Sequence, residues 1–220
     1  MSYGIAIRVR GDYALFTRPE LKVERVSYDV ITPSAARGLI EAIYWKPAIR
    51  WVIDRIHVLN EIAFTNIRRN EVSEKVSAAE AQRRMNGSRD AFYLDATKYR
   101  QQRAALVLKD VDYVIEAHFE MVPDKAGPGD TPAKHFNIAL RRLRKGQHYH
   151  APCLGTREFG ARMEPVEDDA IPPSPLTGQR ELGYMLYDLD FSDPDDIQPV
   201  FFRATLQDGV LDLSDVSLVR

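Results

Sequence analysis

A single cysteine, Cys153, stands among 220 residues. No intrachain disulfide is possible, so the core must hold the fold, which fits a reducing, cytoplasmic compartment. No apolar run is long enough to span a bilayer, and we expect no membrane partner. The opening Met1-Ser2-Tyr3-Gly4 lacks the charged-then-apolar pattern of a secretory leader. Gly-x-Gly-x-x-Gly and Walker loops are missing, which leaves nucleotide-cofactor chemistry unsupported. His148 and His150 form a His-x-His pair with no cysteine or carboxylate set at ligand spacing. They read as a surface turn, and neither a metal nor another cofactor is expected. Internal repeats and low-complexity tracts are also lacking, which excludes solenoids and disordered arrays.

What is present is an uneven charge. The formal net charge is −2, yet Glu164–Arg220 holds 13 acidic residues against 3 basic ones. Met1–Met163 therefore forms a basic body with an acidic appendage behind it. A near-neutral total does not argue against a polyanion partner. With 45% hydrophobic residues the chain can bury a substantial core.

Ile5, Ile7 and Val9 alternate as a half-buried strand punctuated by Gly11-Asp12. Thr32 and Pro33 then open a helix, and Ala36, Leu39, Ile40 and Ile43 form its apolar stripe. Pro47 ends it. A strand begins at Ile49, and its phase slips after Ile53, which predicts a bulge near Asp54-Arg55. Residues from about 63 to 109 fit no simple element. They read as a long basic insertion, an extended hairpin with a tip around Met85-Asn86-Gly87-Ser88. Val111, Tyr113, Ile115, Ala117, Phe119 and Met121 share one face of the next strand. Thr131 and Pro132 open a second helix striped by Phe136, Ala139, Leu140 and Leu143, with Gly146 as its stop. Phe159, Ala161 and Met163 suggest a last core strand. The order is α+β, a ferredoxin-like (RRM-like) βαββαβ core. Residues 1–164 form that domain with its insertion at about 63–109, and 165–220 form a small antiparallel β region turned at Asp208-Gly209.

His118 lies on the polar face of the third core strand between Glu116 and Glu120, which would fix its tautomer or hold it in a salt link. Tyr44 ends the first helix and either packs on Trp51 or joins a site. The topology predicts that Tyr44 and His118 meet at one end of the sheet, with Lys46 in the exit turn. A tyrosine, a histidine and a lysine beside a basic surface suit RNA cleavage without a metal. A base takes the proton from a ribose 2′-OH, a cation stabilises the phosphorane, and an acid protonates the leaving 5′-oxygen. Arg68, Arg69, Arg83, Arg84 and Arg103 of the insertion are candidate RNA contacts. So are Lys134, Arg141, Arg142, Arg144 and Lys145 of the second helix, and Arg157 beyond it. Tyr93, Tyr99 and Tyr149 are candidate base-stacking groups, and Phe92 lies among them.

Gly11-Asp12-Tyr13-Ala14-Leu15-Phe16-Thr17, Thr32-Pro33-Ser34-Ala35 and Ile43-Tyr44-Trp45-Lys46-Pro47 carry a family resemblance. Ala117-His118-Phe119 and Leu154-Gly155-Thr156-Arg157-Glu158-Phe159 extend it. Together they resemble the CRISPR-associated Cas five family, type I-C branch. The resemblance implies a metal-independent endoribonuclease that cuts precursor CRISPR RNA in its repeat hairpin. It implies that the protein stays bound to the 5′ handle as a subunit of a type I-C effector complex, and that duplex DNA is a further, non-specific partner. It places the catalytic tyrosine on Tyr44 and the histidine on His118. The family's lysine lies close to that histidine, where this chain has Glu116 and Ala117, so Lys46 and Lys109 stand in as substitutes. A non-catalytic scaffold that caps the 5′ handle is the alternative, and a sequence-neutral DNA binder is a third.

Overall fold

Alternating apolar residues set the sheet. In the computed structural model, which describes all residues except Met1, Ser2, Lys22, Asp90, Phe92 and 168–170, Ile7 and Val9 are fully buried on strand β1 (Gly4–Ala14). Gly11-Asp12 does not end this strand, as the sequence suggested. The backbone continues through it, paired with the long strand described below. Strand β2 (Arg25–Val26) is short. Helix α1 (Pro33–Ile43) starts as expected, with the Thr32 side chain accepting from the Ala35 amide, and it buries Ala36, Leu39, Ile40 and Ile43. Strand β3 (Ile49–Val58) carries the expected bulge, a register shift between Ile53 and Arg55.

The insertion is a hairpin. Strand β4 (Ala63–Val72) pairs along its length with the first half of β5 (Arg100–Met121), and helix α2 (Ala78–Met85) sits at the tip. The sequence did not show α2 because its alanines and single methionine make no buried stripe. Phe92 lies outside the described residues. The expected break near Lys109 is also absent, since β5 runs unbroken for 22 residues. Asp110 bends it with φ +52, a left-handed conformation that aspartate tolerates better than most residues.

After a short turn at Pro123–Lys125, helix α3 (Pro132–Arg144) begins under its Thr131 cap. Strand β6 (Arg162–Pro165) follows, starting later than the alternation from Phe159 suggested. Strands β7 (Gln179–Asp190), β8 (Gln198–Gln207), β9 (Val210–Asp212) and β10 (Leu218–Val219) complete the chain. Asp208 and Gly209 both have positive φ, the backbone demanded by a tight two-residue hairpin turn. β9 then leaves β8 after one pair and bonds to β3.

Among the described residues the strands form one sheet, ordered β10-β8-β9-β3-β5-β1-β6, with β2 and β4 on β5 and β7 on β8. The β3-β5-β1-β6 stretch is antiparallel throughout. Its buried side chains, α1, α3 and part of β7 share one apolar cluster that includes Trp51, Tyr113, Ile115, Leu143 and Met185. Arg37 of α1 pins β7 through Asp188, with Nη2 to Oδ1 at 2.9 Å. The opposite face of β3-β5-β1 carries charged and polar residues. No helix among the described residues is long and apolar enough to cross a membrane.

Candidate functional site

Period two along β5 sends Ala117 and Phe119 into the core and Glu116, His118 and Glu120 to the open face. The His118 side chain, 27% exposed, places Nδ1 at 2.8 and 3.0 Å from the two carboxylate oxygens of Asp54. Because a carboxylate only accepts, Nδ1 donates to it, and Nε2 takes no part in this pair. Asp54 sits in the β3 bulge, and the extra residue there turns its carboxylate toward β5.

This corrects the sequence expectation that Glu116 and Glu120 hold His118. Residues two apart on a strand lie about 6.7 Å from one another, so each carboxylate finds a cross-strand partner instead. Glu120 pairs with Arg50 at 2.6 Å, and that guanidinium holds its carboxyl below the usual range. Glu116 accepts from Nε2 of His57 at 2.5 Å. Arg55, the ladder partner of Glu116, reaches its carboxylate at 3.9 Å and Asp212 at 3.1 Å. Bonds from the Ser214 hydroxyl and amide, and then Arg55, push the Asp212 carboxyl down to about 2.

Tyr44 has a different setting. It is 2% exposed and lies on the helix side of the sheet, where its hydroxyl is 2.7 Å from Nδ1 of His135. Burial raises the phenol and lowers the imidazole. The Asp130 carboxylate beside Nε2 favours the ring proton there, so the hydroxyl donates and Nδ1 accepts. Nε2 of His135 is buried without a hydrogen bond, 3.5 Å from Asp130. The Arg142 guanidinium stands 5.3 Å from the Tyr44 ring centroid and donates to the Ile43 carbonyl. Trp51 meets Tyr44 through the backbone, its indole N–H donating to the Tyr44 carbonyl at 2.9 Å, while the Tyr44 ring stands beside His135, centroids 5.9 Å apart. Trp51 is the ladder partner of Phe119. Tyr44 and His118 therefore reach the same end of the sheet but on opposite faces, and the structure does not bring them together. Lys46 is exposed in the turn after α1 and makes no ion pair among the described residues. His135 escaped the sequence analysis. It lies at i with Ala139 and Leu143 at i+4 and i+8, the positions α3 buries, and a histidine in an apolar stripe was the signal.

The basic residues divide into two sets. Arg69 pairs with Glu158, Arg83 and Arg84 with Glu80, Arg103 with Glu71, Lys134 with Asp130 and Arg144 with Glu167. Arg68, Arg141, Lys145 and Arg157 are exposed without an ion pair among the described residues. Tyr149 is 88% exposed and Tyr93 nearly as open, whereas Tyr99 is half-buried under Lys98. Tyr149, His148, Gln147, Gly146 and Arg142 line an open cleft of about 570 Å³ beside the end of α3.

The model of a family described as CRISPR-associated protein (Cas_Cas5) matches residues 4–213. A protein named CRISPR pre-crRNA endoribonuclease Cas5d from Mannheimia succiniciproducens is 50% identical, over 97% of this chain and 96% of its own. One of the same name from Thermus thermophilus is 42% identical, over 95% and 90%. A solved structure described as a CRISPR-associated protein superposes with TM-score 0.70 at 26% identity, covering 96% of this chain and 92% of its own. A chain of a CRISPR RNA-guided surveillance complex shares the fold with TM-score 0.52 at 14% identity, over 98% and 89%.

Proposed function

Because this chain belongs to the CRISPR-associated Cas5 family, type I-C branch, we propose that it is an endoribonuclease of precursor CRISPR RNA. In this reading it cuts the repeat hairpin without a metal and stays on the product as a subunit of an effector complex. The observation that carries the reading is the His118–Asp54 pair, an imidazole oriented by a carboxylate on a partly open sheet face. An imidazole held this way can accept or donate a proton in the reaction. The 2′-hydroxyl loses its proton, its oxygen attacks the adjacent phosphorus, and the bond from phosphorus to the 5′-oxygen breaks. That oxygen takes a proton. The products are a 2′,3′-cyclic phosphate and a 5′-hydroxyl. His118 performs one of the two transfers. By family resemblance Tyr44 takes the other, exchanging its bond to His135 for the RNA, and Lys46 supplies the cation.

The β3-β5-β1-β6 order with α1 and α3 on one face supports reading this core as ferredoxin-like. Residues 1–164 then form the RNA-handling unit and 165–220 a partner-facing β region. Exposed Tyr184, Leu189 and Phe191 in that region support contact with other subunits. Arg68, Arg141, Arg142, Lys145 and Arg157 are the leading RNA contacts. Arg69, Arg83, Arg84, Arg103, Lys134 and Arg144 contribute less because carboxylates already hold them, except as those pairs open. The same basic surface would bind duplex DNA without sequence preference. A cytoplasmic site of action follows from this role.

The test is a repeat RNA incubated with the protein in EDTA. Cleavage that survives chelation, and is lost in His118→Ala while RNA binding persists, supports the enzyme. Intact RNA with the wild-type protein, despite tight binding, would instead establish the 5′-handle scaffold. Equal affinity for duplex DNA and repeat hairpin at matched salt would point to a DNA binder.

A further inference from the structure

A phenol held above its ordinary value by burial does not ionise by itself near neutral pH, so it takes a proton from RNA only if its own can leave. Tyr44 has an acceptor for that proton. Its hydroxyl donates to Nδ1 of His135 at 2.7 Å. That imidazole is fully buried, and Nε2 makes no hydrogen bond, yet Oδ1 of Asp130 lies 3.5 Å from it. The Gly127 amide, and then Lys134, hold the Asp130 carboxyl below the usual range, so it stays charged. A hydroxyl, an imidazole and a carboxylate thus stand in order from the end of α1 to the loop before α3. A tie between two helices needs only an acceptor for the hydroxyl. A carboxylate behind the imidazole adds a counter-charge for a proton that arrives there, the arrangement that turns a hydroxyl oxygen into a base. Lys46, in the turn after α1, and Lys134, on α3, also face His135, and both oppose its protonation. β5 presents the Phe119 ring edge-on at 6.3 Å. Arg142 stands over the Tyr44 ring and lines the open cleft beside α3, which brings that ring to the cleft wall.

We infer that His135 takes the phenol proton of Tyr44 as the Tyr44 oxygen takes that of the 2′-hydroxyl, and that Asp130 faces the imidazolium so formed. This rests on the reading of Tyr44 as a catalytic group, and His135 acts on RNA only through it, as a positioning residue. The exchange of the Tyr44 bond for the RNA is then a hand-over. The proton in that bond moves to Nδ1, and the RNA proton takes its place on the phenol. The freed 2′-oxygen bonds to phosphorus, the bond from phosphorus to the 5′-oxygen breaks, and His118, as imidazolium, protonates that oxygen. His135 gains the one proton that His118 loses, so protons and charge balance, and water restores both rings.

The experiment measures single-turnover cleavage of repeat RNA against pH, with protein in excess, for wild type, His135→Asn, Asp130→Asn, Tyr44→Phe and the double variant Tyr44→Phe/His135→Asn. An asparagine amide oxygen can stand where Nδ1 stood and accept from the phenol, but it does not titrate. His135→Asn should bind RNA like wild type, cleave about 10²–10⁴-fold more slowly and lose the acid limb of the pH–rate profile, where a neutral imidazole is needed. Asp130→Asn still accepts from the Gly127 amide but removes the counter-charge. Its acid limb should move to lower pH, because His135 then binds a proton less readily, and its maximal rate should fall. The double variant should cleave no more slowly than Tyr44→Phe, because the two groups act as a unit. A His135→Asn protein that cleaves within a few-fold of wild type, or keeps the acid limb, overturns the inference. So does an unmoved limb in Asp130→Asn, which decides the matter if His135→Asn fails to fold, or a double variant whose losses multiply. In those cases Tyr44→Phe still cleaves poorly, and only the role of His135 is wrong. A Tyr44→Phe protein as fast as wild type, or a wild-type protein that fails to cleave, overturns the parent reading and this one with it.

Discussion

Tyr44 and His135 illustrate what single side chains do here. The phenol donates to a fully buried imidazole, and that bond ties the end of α1 to α3. Tyr44→Phe would leave Nδ1 of His135 buried without a partner, at a cost of about 1–3 kcal/mol. A drop of that size in denaturant-unfolding free energy is expected. The pH dependence follows from burial, which holds the His135 imidazole below its ordinary value in the folded state. The unfolded chain therefore binds the proton more readily. Stability is full above about pH 6.5 and is lost as pH falls from there toward the lowered folded-state value. Unfolding midpoints measured from pH 7.5 to 5 should show this loss, and His135→Gln should flatten it. Period two displayed which face His118 occupies, because alternation survives in the sequence. Its partner Asp54 was not legible, because a cross-strand contact depends on register, and register depends on a segment 64 residues away.

At the scale of elements, local signals were read well and distant ones poorly. The Thr-Pro openings of α1 and α3, the β3 bulge and the Asp208-Gly209 turn each show in a few adjacent residues, because capping, phase slips and positive φ are local effects. The continuity of β5 did not show, since Lys109-Asp110 has the composition of a turn and only pairing with β1 and β4 keeps it extended. The segment after α3 gives an element-scale prediction. The Leu154 carbonyl accepts from the Leu15 amide at 3.0 Å, strapping this loop to the end of β1. Gly155 follows with φ +87, and a Cβ there would fall 2.0 Å from the Leu15 carbonyl oxygen. Gly155→Ala should cost at least the roughly 1–3 kcal/mol of a strained backbone, plus the displacement of the strap. Thermal unfolding would show this, and RNA affinity should fall with it, because the strap carries Arg157.

For the whole molecule, the charge split was legible but its use was not. Counting residues gave a basic body, whereas the structure shows many of those bases already facing carboxylates. Only bases that can meet phosphate release counterions on binding. Replacing Arg141, Lys145 and Arg157 by glutamine should lower the slope of log affinity against log salt by about 2–3, at about 0.7–0.9 per contact. Replacing Arg69, Arg83 and Arg144 should change it much less, and titrations across a salt series would separate the sets. The assignment of 165–220 as an appendage was harder to judge from composition, because the sheet that receives β9 is made by residues far upstream. That connectivity has a consequence in time. Asp112 closes on Arg8 across 104 residues, and Asp212 closes on Arg55 across 157. Strands that wait so long for their neighbours have little local reward to guide early assembly, so this chain should fold slowly. During synthesis β1 and β3 emerge with their pairing edges bare until β5, and finally β9, leave the ribosome. The nascent protein therefore has an aggregation-sensitive interval that the finished sheet conceals.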